Sequence, residues 1–239
     1  MTSLITQGQQ QLKLGLWSIA LATFERAIAL DETDRAAWEG KAAALKKLGR
    51  WGEAVEVEER LVEVRSRGIV LDSETLAEQW FNSGLQKATQ GDMLGAIQDW
   101  EKAIEFKPDF HVAWYNRGNS LSALGRNEEA IVSYEKAIEF KPDKHEAWTN
   151  RGFALYELGR NEEAIASYEK AIEIKPDKYG AWSNRGNSLS ALGRKEEAIA
   201  SYEKAIEIKP DYHAAWYNRG ALLSDLGQKE EAIASYEKA

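Results

Sequence analysis

The sequence has no cysteine, which removes disulfides, thiolate metal sites and thiol nucleophiles together. Proline is scarce, with four in 239 residues. No apolar run approaches the ~20 residues that a membrane-spanning helix needs. The opening MTSLITQGQQQ lacks the basic and apolar regions of a secretory signal. A basic excess is missing too. The net charge is -8, which argues against phosphate backbones and anionic membranes as main partners. These absences lead to the expectation of a soluble cytoplasmic protein with no nucleic-acid and no membrane partner. Apolar content is ordinary, at 44%, so the chain can support packed structure rather than global disorder.

The few prolines are regularly placed. Pro108, Pro142, Pro176 and Pro210 follow one another at 34 residues, as do Trp80, Trp114, Trp148, Trp182 and Trp216, and Gly84 through Gly220. A fixed period of this length signals stacked repeats. With each Trp at position 4, copies begin at 77, 111, 145, 179 and 213, the last stopping at Ala239. Two divergent copies, 1–34 and 35–68, precede them, and residues 69–76 (IVLDSETL) form an insertion. Within one copy, Ala113, Trp114, Gly118, Leu121 and Leu124 keep a helical spacing, GRNEE breaks the chain, and Ala130, Ile131, Tyr134, Ala137 and Ile138 line a second helix. Gly125 suits the end of the first helix, Pro142 stops the second, and Asp143 is the expected N-cap of the next. In the insertion, Gly68 is an expected helix end, with Asp72 or Ser73 capping a first helix lengthened by a turn.

Trp114, Gly118, Leu121, Ala130, Tyr134, Ala137 and Pro142 stand where the tetratricopeptide repeat has its signature, and the chain resembles that family along nearly its whole length. A systematic departure is Arg117, Arg151, Arg185 and Arg219 in place of the usual Leu before the Gly. The resemblance implies an all-α fold, a right-handed superhelix (α-solenoid) of stacked antiparallel helix-turn-helix repeats with a concave groove.

Repeats 145–178 and 179–212 agree at 25 of 34 positions, and many of their differences fall on one stripe of the first helix. That stripe is free of packing constraint; in the family it lines the groove. Position 6 lies at its edge yet is always asparagine: Asn82, Asn116, Asn150, Asn184 and Asn218. A carboxamide can satisfy a peptide C=O and N–H at once, so these residues are the expected ladder for the main chain of an extended guest. Selectivity is assigned to variable neighbours: Phe81, Tyr115, Thr149, Ser183 and Tyr217 at position 5, Leu85, Asn119, Phe153, Asn187 and Ala221 at position 9, and Tyr156 at position 12. The competing reading is that Asn bonds across to a neighbouring hairpin. The arginines fall on the packed side, with stems between helices and guanidinium groups seeking carboxylates or helix-end carbonyls; the alternative is that they hold an anionic ligand.

Chemistry-bearing motifs fail. His111, His145 and His213 recur one helix spacing apart, too far to share a metal. HEAWT at 145–149 has Thr149 where a zinc protease needs its second His. Pairs such as Glu128–Glu129 open second helices, where they complement the dipole. No catalytic residue, metal site or cofactor is predicted.

The first helix carries Thr6, Gln7, Gln9 and Gln10, as a polar cap should, whereas the last hairpin stops at YEKA with no solvating helix. Either the natural protein continues or this face docks on something, end-to-end self-association included. The leading expectation is a non-enzymatic scaffold that binds a peptide or partner segment in its groove. The alternative is an assembly or regulatory module that docks through its uncapped C-terminal repeat and edges.

Overall fold

The computed structural model describes residues 2–64 and 73–239, and Gly68 and Asp72 lie outside them. Fourteen helices and no strand occur among the described residues. They are α1 (Thr2–Lys13), α2 (Trp17–Leu30), α3 (Arg35–Lys47), α4 (Trp51–Val64), α5 (Ser73–Thr89), α6 (Met93–Phe106) and α7 (His111–Ala123). After these come α8 (Asn127–Phe140), α9 (His145–Glu157), α10 (Asn161–Ile174), α11 (Tyr179–Ala191), α12 (Lys195–Ile208), α13 (His213–Asp225) and α14 (Lys229–Tyr236). The chain divides into two compact units, residues 1–113 and 114–239. In each, consecutive helices pack as antiparallel hairpins stacked side by side. The fold is all-α and built from helix-turn-helix repeats.

Each hairpin turn follows from one glycine. Gly125 has φ 73°, a left-handed conformation that a side chain disfavours. It lets the Gly125 amide donate to Ser122 O at 2.9 Å and the Arg126 amide to Leu121 O at 2.9 Å, which satisfies the last carbonyls of α7. Gly15, Gly49, Gly91, Gly159, Gly193 and Gly227 repeat the device.

The other recurrent glycine serves packing. A Cβ on Gly118 would stand 2.6 Å from Tyr134 Cε1; Gly152 meets Tyr168 at 2.7 Å and Gly186 meets Tyr202 at 2.6 Å. The tyrosine ring therefore lies directly on the backbone of the first helix, and all three rings are buried. In the other unit Trp100 covers Gly84, and Phe24 covers both Gly8 and Gly40.

Proline and tryptophan cooperate in the connection between hairpins. The indole N–H of Trp148 donates to Pro142 O at 2.9 Å, Trp182 to Pro176 O at 3.0 Å, and Trp216 to Pro210 O at 2.9 Å. Asp143 is not the N-cap. That position is Lys144, whose side chain makes no capping bond; the backbone closes the turn instead, with Ala147 N–H reaching Lys144 O at 3.0 Å. Aspartate does cap α3 and α6, through Asp34 and Asp92.

At α5 the latch is lost. This helix is 17 residues long against 13 for α3 and α9. It begins early enough that Glu74, six residues before Trp80, is already helical and its carbonyl serves the helix. The Trp80 indole N–H is accordingly buried without a partner among the described residues.

The arginine series staples neighbours. Arg151 Nη1 donates to Ser167 Oγ at 2.6 Å within its own hairpin, and Nη2 to Glu135 Oε1 at 2.8 Å in the preceding one. Arg185 and Arg219 repeat this with Ser201 and Glu169, and with Ser235 and Glu203. At Ser83–Asp99 the polarity is reversed: Ser83 Oγ donates to Asp99 Oδ2 at 2.5 Å and Lys87 pairs with the other oxygen.

Gly152→Ala is expected to force the Tyr168 ring off α9 and to lower stability by about 1–3 kcal/mol, read by urea or thermal melting. Gly180→Ala, where an added Cβ meets nothing within 4 Å, is the control and should leave the melt unchanged or raise it slightly.

Candidate functional site

The first helices of residues 114–239 present the predicted stripe, and its asparagines alternate. Asn150 Nδ2 donates to Asn119 Oδ1 at 2.8 Å and to Tyr115 OH at 3.3 Å, while Tyr134 OH donates to the same Asn119 oxygen at 3.0 Å. The arrangement recurs two repeats later: Asn218 Nδ2 reaches Asn187 Oδ1 at 3.2 Å, and Tyr202 OH reaches it at 2.8 Å. Burial pushes the Tyr134 and Tyr202 phenols above their usual range, so both keep the proton they donate.

Asn184 makes no side-chain hydrogen bond among the described residues. The reason lies in the preceding repeat, where Phe153 replaces asparagine at position 9 and offers no acceptor. Asn116 also lacks a side-chain bond among the described residues and is half-buried. The bonding rule is therefore that an asparagine at position 6 is tied only when position 9 of the repeat before it is also asparagine. Each tied pair keeps unused capacity: Asn187 retains its Nδ2 donors and Asn218 its Oδ1 acceptor.

Tyr156, Asn187 and Asn218 converge on a cleft of about 410 Å³, completed by Ser190, Ala191, Tyr202, Ala221 and Leu222. Its lining carries no charge. Phe153 and Tyr217 are exposed beside these helices, at 44% and 59%; Tyr217 also touches the Tyr236 ring at 5.7 Å. Tyr115 lies against Tyr134 at 6.2 Å, with Lys144 Nζ 4.3 Å from its ring centroid. Phe81 and Asn82 belong to the other unit, where Phe81 packs on Phe110 at 5.0 Å and Asn82 is exposed.

Two of the variable residues are less open than the stripe implies. Ser183 is only 2% exposed, because at that point the stripe turns into the packed side. Thr149 spends its hydroxyl on His145 O at 2.9 Å within α9. The position-23 serines that receive the arginines, Ser133 through Ser235, escaped sequence reasoning, although their constancy opposite a constant arginine was the available signal.

Profiles described as "TPR repeat" match residues 118–159, 154–193 and 186–227, and profiles described as "Tetratricopeptide repeat" match 5–67 and 100–132. The chain belongs to the tetratricopeptide repeat family. Comparison with curated proteins yields no match. Among solved structures, a crystal structure of MamA is similar at 27% identity and a TM-score of 0.64, over 65% of this chain and 91% of that one. MamA 41-end from Desulfovibrio magneticus RS-1 is similar in fold at 17% identity and a TM-score of 0.65, over 71% and 94%. The crystal structure of YrrB, described as a TPR protein with an unusual peptide-binding site, is similar in fold at 23% and 0.61, over 80% and 95%. No described helix of this tetratricopeptide repeat chain is long and apolar enough to cross a membrane.

The alternation has a stability signature. Asn187→Ala removes the acceptor of two donors and should lower stability by about 1–3 kcal/mol. Asn184→Ala should fall within about 0.5 kcal/mol of the parent. Urea melts of the two variants compare them directly.

Proposed function

We propose that this tetratricopeptide repeat protein is a non-enzymatic interaction scaffold that takes an extended, uncharged segment along the first helices of residues 114–239. The observation that carries this reading is the pair of bonded carboxamides, Asn119–Asn150 and Asn187–Asn218, each braced by a buried tyrosine. Bracing fixes the side chains in advance, which lowers the entropy lost on binding. In each pair a free amide donor stands beside a free amide acceptor, the complement of one peptide unit. With helices ~8–10 Å apart and an extended chain rising ~3.3 Å per residue, the two pairs meet a guest about six residues apart. Phe153, Tyr156 and Tyr217 supply apolar and aromatic surface for its side chains, with Asn116 and Asn184 as further polar contacts. In the other unit, Phe81 and Asn82 carry the same residue types. The absence of charge from the cleft lining favours a neutral segment over an acidic tail. A few hydrogen bonds at ~0.5–1.5 kcal/mol each, set against association costs, give micromolar affinity.

The test is selection of twelve-residue peptides displayed on phage against the whole chain. Selected peptides should be neutral and bind with micromolar Kd. Asn187→Ala should weaken them tenfold or more, and Ile233→Glu, on the exposed face of α14, should leave them unaffected. Recovery of strongly acidic peptides, or equal binding to Asn187→Ala, would reject the reading.

A second reading rests on a separate observation. Ile233 and Tyr236 are 59% and 42% exposed, whereas their counterparts Ile165 and Tyr168 are 6% and 1% exposed. The outer face of the α13–α14 hairpin thus carries the residues of a repeat interface in the open, suited to docking a second copy end to end. Sedimentation equilibrium should then give a mass that rises with concentration, and Tyr236→Glu should abolish the rise; a monomer at every concentration removes this reading.

A further inference from the structure

In most copies the residues following the turn glycine are charged or amide-bearing: Arg-Asn-Glu-Glu at 126–129 and at 160–163, Arg-Lys-Glu-Glu at 194–197. Arg126, Arg160 and Arg194 there form bidentate pairs with Glu129, Glu163 and Glu197. The first hairpin has Leu16, Trp17, Ser18 and Ile19 instead. This set leaves out the side chains that favour a helix start. Helix α2 has no acidic residue in its first turn and no side-chain cap, both of which would favour it. Nor do the side chains enter the core, since Leu16, Trp17 and Ile19 are 44%, 39% and 53% exposed, and Leu14 is exposed beside them. Exposed apolar clusters of this kind mark contact surfaces.

The charges around the cluster are also unlike those elsewhere. Helices α1 and α3 pack together, and both end at the same edge of their hairpins. The two turns there, 11–19 and 45–53, hold Lys13, Lys46, Lys47 and Arg50 against the single acid Glu53. Each of the four turns in residues 114–239 carries at least as many acidic residues as basic ones. Lys46 is paired with Glu58 and Arg50 with Glu53, whereas Lys13 and Lys47 have no ion pair among the described residues. The net charge of -8, which speaks against an anionic surface for the chain as a whole, is thus reversed along this edge.

We propose that the turn edge of hairpins α1–α2 and α3–α4 docks on an anionic lipid surface. Leu16, Trp17 and Ile19 enter the headgroup boundary while Lys13 and Lys47 meet lipid phosphates. Trp beside Leu and Ile, flanked by unpaired lysines, is the composition that interfacial insertion requires. Projecting turns suit a deformable plane, which needs no matching cavity. The inference is independent of peptide binding along residues 114–239.

Co-sedimentation of the full chain is measured with vesicles of phosphatidylcholine alone and of phosphatidylcholine with about one third phosphatidylglycerol. The chain should pellet with the anionic vesicles only, and less as salt rises. Leu16→Arg, Trp17→Asn, Ser18→Glu and Ile19→Glu together rebuild the turn of the other repeats, so this variant should melt no lower than the parent yet stay in the supernatant. Lys13→Gln with Lys47→Gln should weaken partitioning about 30-fold, at roughly 1 kcal/mol for each cation. Failure to pellet, equal pelleting with neutral vesicles, or pelleting by the rebuilt-turn variant each overturns the proposal. So does a fall in self-association or in capture of an acidic protein by that variant without any vesicle binding, which would assign the edge to a protein.

Discussion

Each hairpin of residues 114–239 is held closed where a tyrosine ring rests on bare backbone, Tyr134 on Gly118 and Tyr168 on Gly152, at distances that leave no room for even one added carbon. Close approach of the two helices depends on that contact, and much else depends on the approach. It brings Ser133 and Ser167 within reach of Arg117 and Arg151. It also places the phenol of Tyr134 at the edge of the exposed stripe, where its hydroxyl finds Asn119. One residue thereby belongs to two layers, its ring to the core and its oxygen to the candidate site.

That double role links the core to the candidate site. The ladder of carboxamides is not a row of equivalent groups. Two pairs are braced from beneath by buried tyrosines, and Asn184 stands unbraced because Phe153 interrupts the pattern. A surface with rigid grips at intervals and looser or aromatic positions between them differs physically from a uniform one. The braced pairs are held in place, and the positions between them are freer to adapt.

The repeat family and its all-α fold were legible. Pro142, Trp148, Gly118 and Gly125 recur because the hairpins of residues 114–239 share a loop latch, a close approach and a left-handed turn, so a period of 34 residues reads directly as architecture. The ladder was legible only in part. Bonding across to a neighbouring hairpin holds at Asn150 and Asn218 and not at Asn116 or Asn184, since the partner of one asparagine is set by position 9 of the repeat before it, a relation between copies that comparison within a copy cannot expose. Ser183 was misassigned because a wheel angle at the border between exposed and packed sides does not decide burial, which depends on neighbours. Asp143 failed as a cap because the Pro-Asp-Lys turn delays the helix by one residue.

The staples have a direction. Arg151 and Arg185 take their carboxylates from the hairpin on the N-terminal side, Glu135 and Glu169, while Arg219 shares Glu203 of that side with Glu231 of its own hairpin at 3.6 Å. Peeling a hairpin from the C-terminal side strands a half-exposed glutamate, which water solvates readily. Peeling from the other side takes the counter-charge from the guanidinium of Arg151 or Arg185, which in the intact stack is far less exposed than its glutamate, and so costs more. Nearest-neighbour coupling of this kind makes the stack unravel more easily in one sense than in the other, like a zipper with a single slider.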